Sequence, residues 1–298
     1  MVNVALHRFA LLLAVSTLFL VIAGASVTSN QAGLSVPDWP LSYGQVMPEM
    51  KGGVFYEHGH RMIASTVGFL TVILAVWLWR SERRAWLRRL GLIAVGAVIL
   101  QGVLGGLTVL FLLPKAVSIS HACLAQLFFS TTVAIALFTS DGWQRGPQIV
   151  EDSGWPSLRS LAVSASVLTL AQVALGAGFR HRAFGIMPHI IGAIIVAMFL
   201  LIVATFVIVQ FPRHAALSNA AWALIAITAL QVGLGVLAYI VRLNHWESAP
   251  TGVLVASTVT HVAFGALTLA SVIALTLEVF YHVRPRAVME SGLPAVSR

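Results

Sequence analysis

The chain has 298 residues, of which 9% are Asp, Glu, Lys or Arg and 58% are hydrophobic, with a mean hydropathy of +0.91. Soluble globular chains carry about 25% charged residues, so the apolar excess must face lipid; a soluble enzyme, a secreted domain and a disordered chain are excluded. The formal net charge of +8 comes from basic residues that punctuate apolar segments rather than forming one patch, which excludes nucleic acid as a partner. A single cysteine, Cys123, rules out an intramolecular disulfide and a thiolate metal cluster.

Eight stretches reach the roughly 20 apolar residues that a bilayer core needs, near 10–29, 60–79, 90–113, 119–139, 159–178, 188–211, 219–241 and 252–281. They are too long and too unbroken for barrel strands. The first could pass for a signal peptide, but its exit, Thr28-Ser-Asn-Gln31, is a weak cleavage context, so it is read as a membrane helix. With the N-terminus inside, Arg8, Arg80, Arg83, Arg84, Arg88, Arg89, Arg145, Arg159, Arg213, Arg284, Arg286 and Arg298 are cytoplasmic. The outer set is then Lys51, Arg61, Lys115, Arg180, Arg182 and Arg242. Twelve against six puts both termini in the cytoplasm and the chain in the plasma membrane.

The odd-numbered spans share a pattern. Gln101-Gly-Val-Leu-Gly105 recurs as Gln172-Val-Ala-Leu-Gly176 and Gln231-Val-Gly-Leu-Gly235, with Leu20-Val-Ile-Ala-Gly24 a weaker copy. Gln and Gly four apart lie on one helical face, either for ordinary helix packing or to line a cofactor. Each even-numbered span carries one early histidine, His60, His121, His189 and His261, followed four residues later by a small residue, Ala64, Ala125, Ala193 or Gly265. A flat surface one turn beyond each imidazole could receive a macrocycle. The expected fold is therefore an all-α integral membrane protein of eight transmembrane helices, arranged as two four-helix bundles related by a pseudo-twofold axis along the membrane normal. The halves are 1–145 and 156–284, joined by a polar linker at 140–156, and 285–298 forms a cytoplasmic tail.

Intramembrane ionisable residues are costly and point to function. Two histidines per bundle, with scarcely any carboxylate, are a poor set for structural zinc but suit the two axial positions of a haem iron. The natural pairs are His60 with His121 and His189 with His261. Propionates near the outer surface would meet Arg61, Lys115, Arg180, Arg182 or Arg242, each of which serves equally as an interfacial anchor. The halves differ at Tyr56-Glu-His-Gly-His-Arg61, where only the first has a carboxylate. If the second helix has begun by this point, Glu57, His60 and Arg61 share one face and His58 points elsewhere. Glu57 is then either a proton-transfer group beside an axial ligand or an interfacial partner of Arg61.

Glu57-His-Gly-His-Arg61, the outer-loop stretch Gly33-Leu-Ser-Val-Pro-Asp-Trp-Pro40 and the histidines of the even spans together resemble the haem A synthase family, CtaA/Cox15, over essentially the whole chain. The resemblance implies oxidation of the C8 methyl of haem O to a formyl group by successive hydroxylations, giving haem A for cytochrome oxidase. By the same resemblance His60 and His121 flank the substrate or product haem, Glu57 is the catalytic carboxylate, and His189 and His261 ligate a permanent haem b. Arg61, Arg180 and Arg182 are the expected contacts for the haem groups. Expected partners are haem O, membrane lipid, an electron acceptor, the enzyme that makes haem O and a second copy of the chain. Many members carry a cysteine pair in the first outer loop; residues 30–56 contain none, so a thiol step has no counterpart there. Two other classes compete with this reading. One is a diheme b-type carrier exchanging electrons with quinone, and the other a colourless transporter built from parallel repeats.

Overall fold

The computed structural model describes residues 3–152, 154–244 and 250–285; the expected tail beyond Pro285, with Arg286 and Arg298, lies outside them. Eight helices are long and apolar enough to cross a membrane: α1 (Val4–Ser29), α2 (Gly53–Ser81), α3 (Ala85–Leu110), α4 (Lys115–Thr139), α6 (Leu158–Arg180), α7 (Met187–Gln210), α8 (Ala215–Asn244) and α9 (Gly252–His282). A short helix α5 (Asp141–Gln144) and two three-residue strands, β1 (Val150–Asp152) and β2 (Val283–Pro285), complete the described elements. The protein is an all-α multi-pass membrane protein.

Most helices outrun their apolar windows, because helical hydrogen bonding continues into interfacial layers where polar side chains are tolerated. The extension matters most at α2, which begins at Gly53 rather than near 60 and so draws Glu57 into the helix. α3 instead stops three residues early. Leu112 and Leu113 take left-handed φ values of 55° and 60°, and their N–H groups donate to Val109 O and Thr108 O at 3.1 and 2.7 Å. The same closing turn ends α1, at Gln31 (φ 55°), and α6, at Arg182 (φ 56°). Three odd-numbered spans thus share their last turn as well as their sequence pattern.

α1 packs on α2 and α4, and α3 on α2 and α4, making a ring of four; α6, α7, α8 and α9 make the same ring. Between the rings α9 meets α1 and α4, and α4 also meets α6. Exchanging α1, α2, α3 and α4 for α6, α7, α8 and α9 leaves this set of neighbours unchanged.

The two larger buried cores occupy the half of each ring nearer the termini, and a smaller one of Val21, Phe129, Ala266 and Ala270 lies between the rings. In the first ring the larger core is built from Leu6, Leu13, Leu74, Leu78, Leu87 and Ile135, and in the second from Leu158, Leu200, Val207, Leu217, Leu224 and Leu275. Toward the opposite side the packing opens. No residue is buried at 59–66 of α2, 95–105 of α3, 170–176 of α6, 187–195 of α7 or 229–240 of α8.

The linker between the rings is anchored rather than slack. β1 pairs in parallel with β2, and the Gln148 N–H donates to His282 Nδ1 at 2.9 Å. His214 Nε2 lies 3.0 Å from Gln148 O, and His282 Nε2 lies 3.1 Å from Glu278 Oε2. The Asp152 carboxylate accepts from Leu158 N at 2.6 Å, Gly154 N at 2.8 Å and Gln210 Nε2 at 3.1 Å, capping the start of α6. Burial pushes the Asp152 carboxyl up, but these donors outweigh it and hold the group below its ordinary value. A depressed carboxyl stabilises the fold above its unfolded pKa and loses that contribution as pH falls through the lower folded value. The Asp152→Ala protein is expected to lose about 1 kcal/mol of cap stabilisation and to be cut faster in the linker during limited proteolysis at neutral pH. The wild-type linker should become equally sensitive only in acid, below the usual aspartate range.

Candidate functional site

Each of the four intramembrane histidines sits on a glycine of the preceding helix. A Cβ placed on Gly24, Gly105, Gly176 or Gly235 would lie 3.0, 3.4, 3.0 or 2.9 Å from Cε1 of His60, His121, His189 or His261 respectively. These are the terminal glycines of the repeated five-residue pattern, Gly24 of the weaker copy included. At Gly24, Gly176 and Gly235 a side chain would crowd the ring, while at Gly105 a Cβ would just reach contact. The seats lie in the open half of each ring, and all four histidines are half-buried.

The edge of each ring that carries Nδ1 is desolvated. Nδ1 of His60, His121 and His261 is buried without a hydrogen-bond partner, and Nδ1 of His189 lies 2.8 Å from Gln172 Nε2. That amide nitrogen also donates to His189 O at 2.8 Å. The expected flat surface is in use at Gly265, where a Cβ would meet Gln231 Nε2 at 3.3 Å; beside His189 the space is at Gly192, one residue before the expected Ala193, where a Cβ would meet Gln172 Oε1. The small residues therefore make room for the glutamines, a pairing the sequence hinted at only through the shared spacing.

His189 and His261 face each other with ring centroids 6.2 Å apart and planes at 81°. Two metal–imidazole bonds of about 2 Å laid end to end, plus the ring radii, span about 6 Å. The observed separation is therefore the one that two imidazoles bound to a single iron would need. His60 and His121 lie within electrostatic reach of each other in the first ring. Haem, which needs only two protein donors, suits this set of lone imidazole pairs better than an ion that needs four. Among the described residues no three His, Cys, Asp or Glu side chains are arranged to hold a metal ion by themselves.

The first ring has a lid. Residues 30–52 fold over its open end, with Val36 fully buried and Trp39 against Gly106, where a Cβ would lie 2.7 Å from the indole. Glu57, 4% exposed, holds this loop: one carboxylate oxygen accepts from Val36 N at 2.9 Å and the other from Arg61 at 2.7 Å. Arg61 extends the tie to Asp38 O at 2.8 Å and Leu41 O at 2.9 Å. His58, turned away from His60, bonds Ser42 Oγ at 2.8 Å. Asp38 closes the loop on itself by accepting from Tyr43 N and Gly44 N at 2.7 and 2.8 Å. In the second ring the corresponding connection is only 181–186.

The remaining expected residues have different fates. Arg180 reaches across to α1, donating to Ala25 O at 2.6 Å and Ser29 Oγ at 2.8 Å, which ties the two rings together. The Arg182 side chain is exposed and has no hydrogen-bond or ion-pair partner among the described residues, while Arg242 stacks on Phe179 at 5.0 Å. Cys123 is a free, half-buried thiol. One residue escaped sequence reasoning. His181 caps α6, and burial, followed by the charge of Arg180 and the proximity of His121, holds its imidazole down to about 4, so it is neutral at physiological pH. Nothing in the pattern of spans marks it, because it lies one residue past a span end.

A family model described as COX15-CtaA, cytochrome oxidase assembly protein, matches residues 7–188. The chain is 35% identical over 172 residues to a heme A synthase of Symbiobacterium thermophilum, covering 55% of each chain. It is 32% identical over 133 residues to one from Shouchella clausii, 44% of each, and 26% identical over 184 residues to one from Halalkalibacterium halodurans, 59% of this chain and 61% of that one. The matched part thus spans about half the length of these relatives.

The lid depends on the ion pair beneath it. Replacing Arg61 by Met leaves a buried carboxylate short of its partner, which costs about 3 kcal/mol. Hydrogen exchange in residues 30–52 should accelerate strongly in that variant, with exchange in α7 and α8 unchanged.

Proposed function

The chain belongs to the COX15-CtaA family, and from that premise we propose that it is a haem A synthase, oxidising the C8 methyl of haem O to a formyl group by successive hydroxylations. The observation that carries this reading is the set of four imidazoles seated on glycines in the open halves of two rings, with a carboxylate, among the described residues, at only one of them. The halves 1–145 and 156–284 are related by a pseudo-twofold axis, which the unchanged set of helix neighbours supports. His60 and His121 hold the substrate, haem O, and release the product, haem A. His189 and His261 hold a resident haem b.

The resident haem supplies one-electron transfer when bound. The residues of the first ring do the rest. The seats at Gly24 and Gly105 fix the angles of His60 and His121, and so the pose of the substrate ring between them. The lid held by Glu57 and Arg61 covers the open end and limits water there. Glu57 lies three residues from His60, one helical turn, so its carboxylate borders the substrate edge and can take a proton or stabilise positive charge developing at the methyl carbon. Arg182, free of protein acceptors among the described residues, is the arginine best placed to meet a propionate. Arg61 and Arg180 border the pockets while serving as ties. The electron acceptor, delivery of haem O by the enzyme that makes it and a second copy of the chain are partners consistent with the reading. The twelve-to-six distribution of basic residues supports a plasma-membrane location with cytoplasmic termini, which puts the histidines toward the outer leaflet.

Haem extraction from the purified protein should yield haem b together with haem O, haem A or a hydroxylated intermediate. His60→Ala should lose the substrate-type haem selectively, and His261→Ala the haem b; Gly235→Ala, which pushes a methyl against His261, should behave like the latter. Equal losses in all variants would contradict the division of labour, and haem b alone in every preparation would favour a diheme electron carrier. Glu57→Gln should keep its haem content and lose about 100-fold in turnover; unchanged turnover would remove the carboxylate from the chemistry.

A further inference from the structure

Three of the four histidines have a glutamine one turn before their glycine seat: Gln101 for His121, Gln172 for His189 and Gln231 for His261. His60 has Leu20 in that place. In all three glutamines Oε1 is buried without a donor, and in two of the three partner histidines Nδ1 is buried without an acceptor. An Nδ1–H and an amide oxygen are complementary, and orphaned buried polar atoms are costly. The third pair shows how close the groups lie: Gln172 Nε2 is 2.8 Å from His189 Nδ1.

A neutral imidazole that gives Nε2 to iron must carry its proton on Nδ1, and Nδ1 then needs an acceptor rather than an amide N–H. Presenting Oε1 instead requires the Gln172 amide to turn and to give up the bond it now donates to His189 O. The Gln231 amide lies beside Gly265, one turn beyond His261, where a Cβ would stand 3.3 Å from its Nε2. Such an acceptor makes the imidazole more basic and fixes its orientation, so the metal is held more firmly.

We propose that Gln101, Gln172 and Gln231 accept from Nδ1 of His121, His189 and His261 when these ligate iron, and that Leu20, which has no acceptor to offer, makes His60 the exchangeable ligand of the first ring. This rests on the haem-binding reading above. The consequence is a division among the ligands. Both histidines of the second ring are braced, which suits a haem that stays. In the first ring only His121 is braced, which suits a haem that must enter, react and leave, with His60 able to swing off its seat. The main-chain carbonyls of Gln101, Gln172 and Gln231 all face these rings as well, outside hydrogen-bonding geometry at His121 and His261. A main-chain acceptor would be indifferent to the side chain, so substitution separates the two.

The test uses the purified, dithionite-reduced holoprotein with carbon monoxide as probe, and redox titration of each haem. In the wild type, carbon monoxide should bind at the first-ring haem, in place of His60, and not at haem b. Leu20→Gln should weaken that binding about 10-fold with haem content unchanged; Ala64 leaves space for the added amide, as Gly265 does for Gln231. Gln231→Leu should shift the haem b potential positive, and Gln231→Glu, which keeps an acceptor, should return it to or below the wild-type value. A purely structural role would make Glu the more damaging change. Binding of carbon monoxide at haem b, an unmoved affinity in Leu20→Gln, or a haem b potential indifferent to both substitutions at 231 would each overturn the proposal while leaving haem binding intact. A colourless preparation would overturn the haem reading itself, and the proposal with it.

Discussion

A bare patch of helix backbone against the edge of an imidazole is the contact on which the rest of this structure depends. Gly24, Gly105, Gly176 and Gly235 each let a histidine of the next helix close in until Cβ-sized space is gone. In lipid there is no hydrophobic force to drive apolar helices together, so small residues that permit close approach and polar residues that link neighbours decide the packing. Here one contact supplies both. It also buries one edge of the ring, which fixes the angle at which the other edge faces the interior. The helices are filled with aliphatic side chains only toward the termini, so that edge faces the open half of the ring.

The two rings repeat this plan and then diverge at their open ends. The first carries a 23-residue loop, 30–52, clamped by Glu57 and Arg61, and the second a short turn. Glu57 thus has a structural duty that its position beside His60 does not by itself reveal: both oxygens are engaged, one by the loop and one by the arginine. A carboxylate so held is immobile and shielded, the condition under which a charge has most effect on a neighbouring reaction centre. The buried pair of Glu57 and Arg61 therefore links the closure of the lid to the chemistry proposed beneath it.

Much of this plan is legible in the sequence. Hydropathy yields the eight spans, and the recurrence of Gln-x-x-x-Gly in odd spans with histidine in even ones marks the repeat. The family match ends at residue 188, so His189 and His261 rest on the internal repeat rather than on that match. What the sequence leaves open is which neighbour each side chain meets. Gly265 after His261 reads as flat surface, yet it accommodates Gln231, and Gly192, outside the expected set, accommodates Gln172. Arg180 reads as an interfacial cation, yet it crosses to the last turn of α1. The linker reads as a loose boundary because nothing local announces that 150–152 pairs with residues more than 130 positions away. Such contacts are set by tertiary geometry, which periodicity does not encode.

The most direct measurement is electron paramagnetic resonance of the oxidised, purified protein. Imidazole pairs on two irons predict two low-spin ferric signals, with His189→Ala removing or converting to high spin only the one assigned to haem b. Absence of haem signals, or only high-spin iron insensitive to all four histidines, would contradict the assignment of these rings to iron.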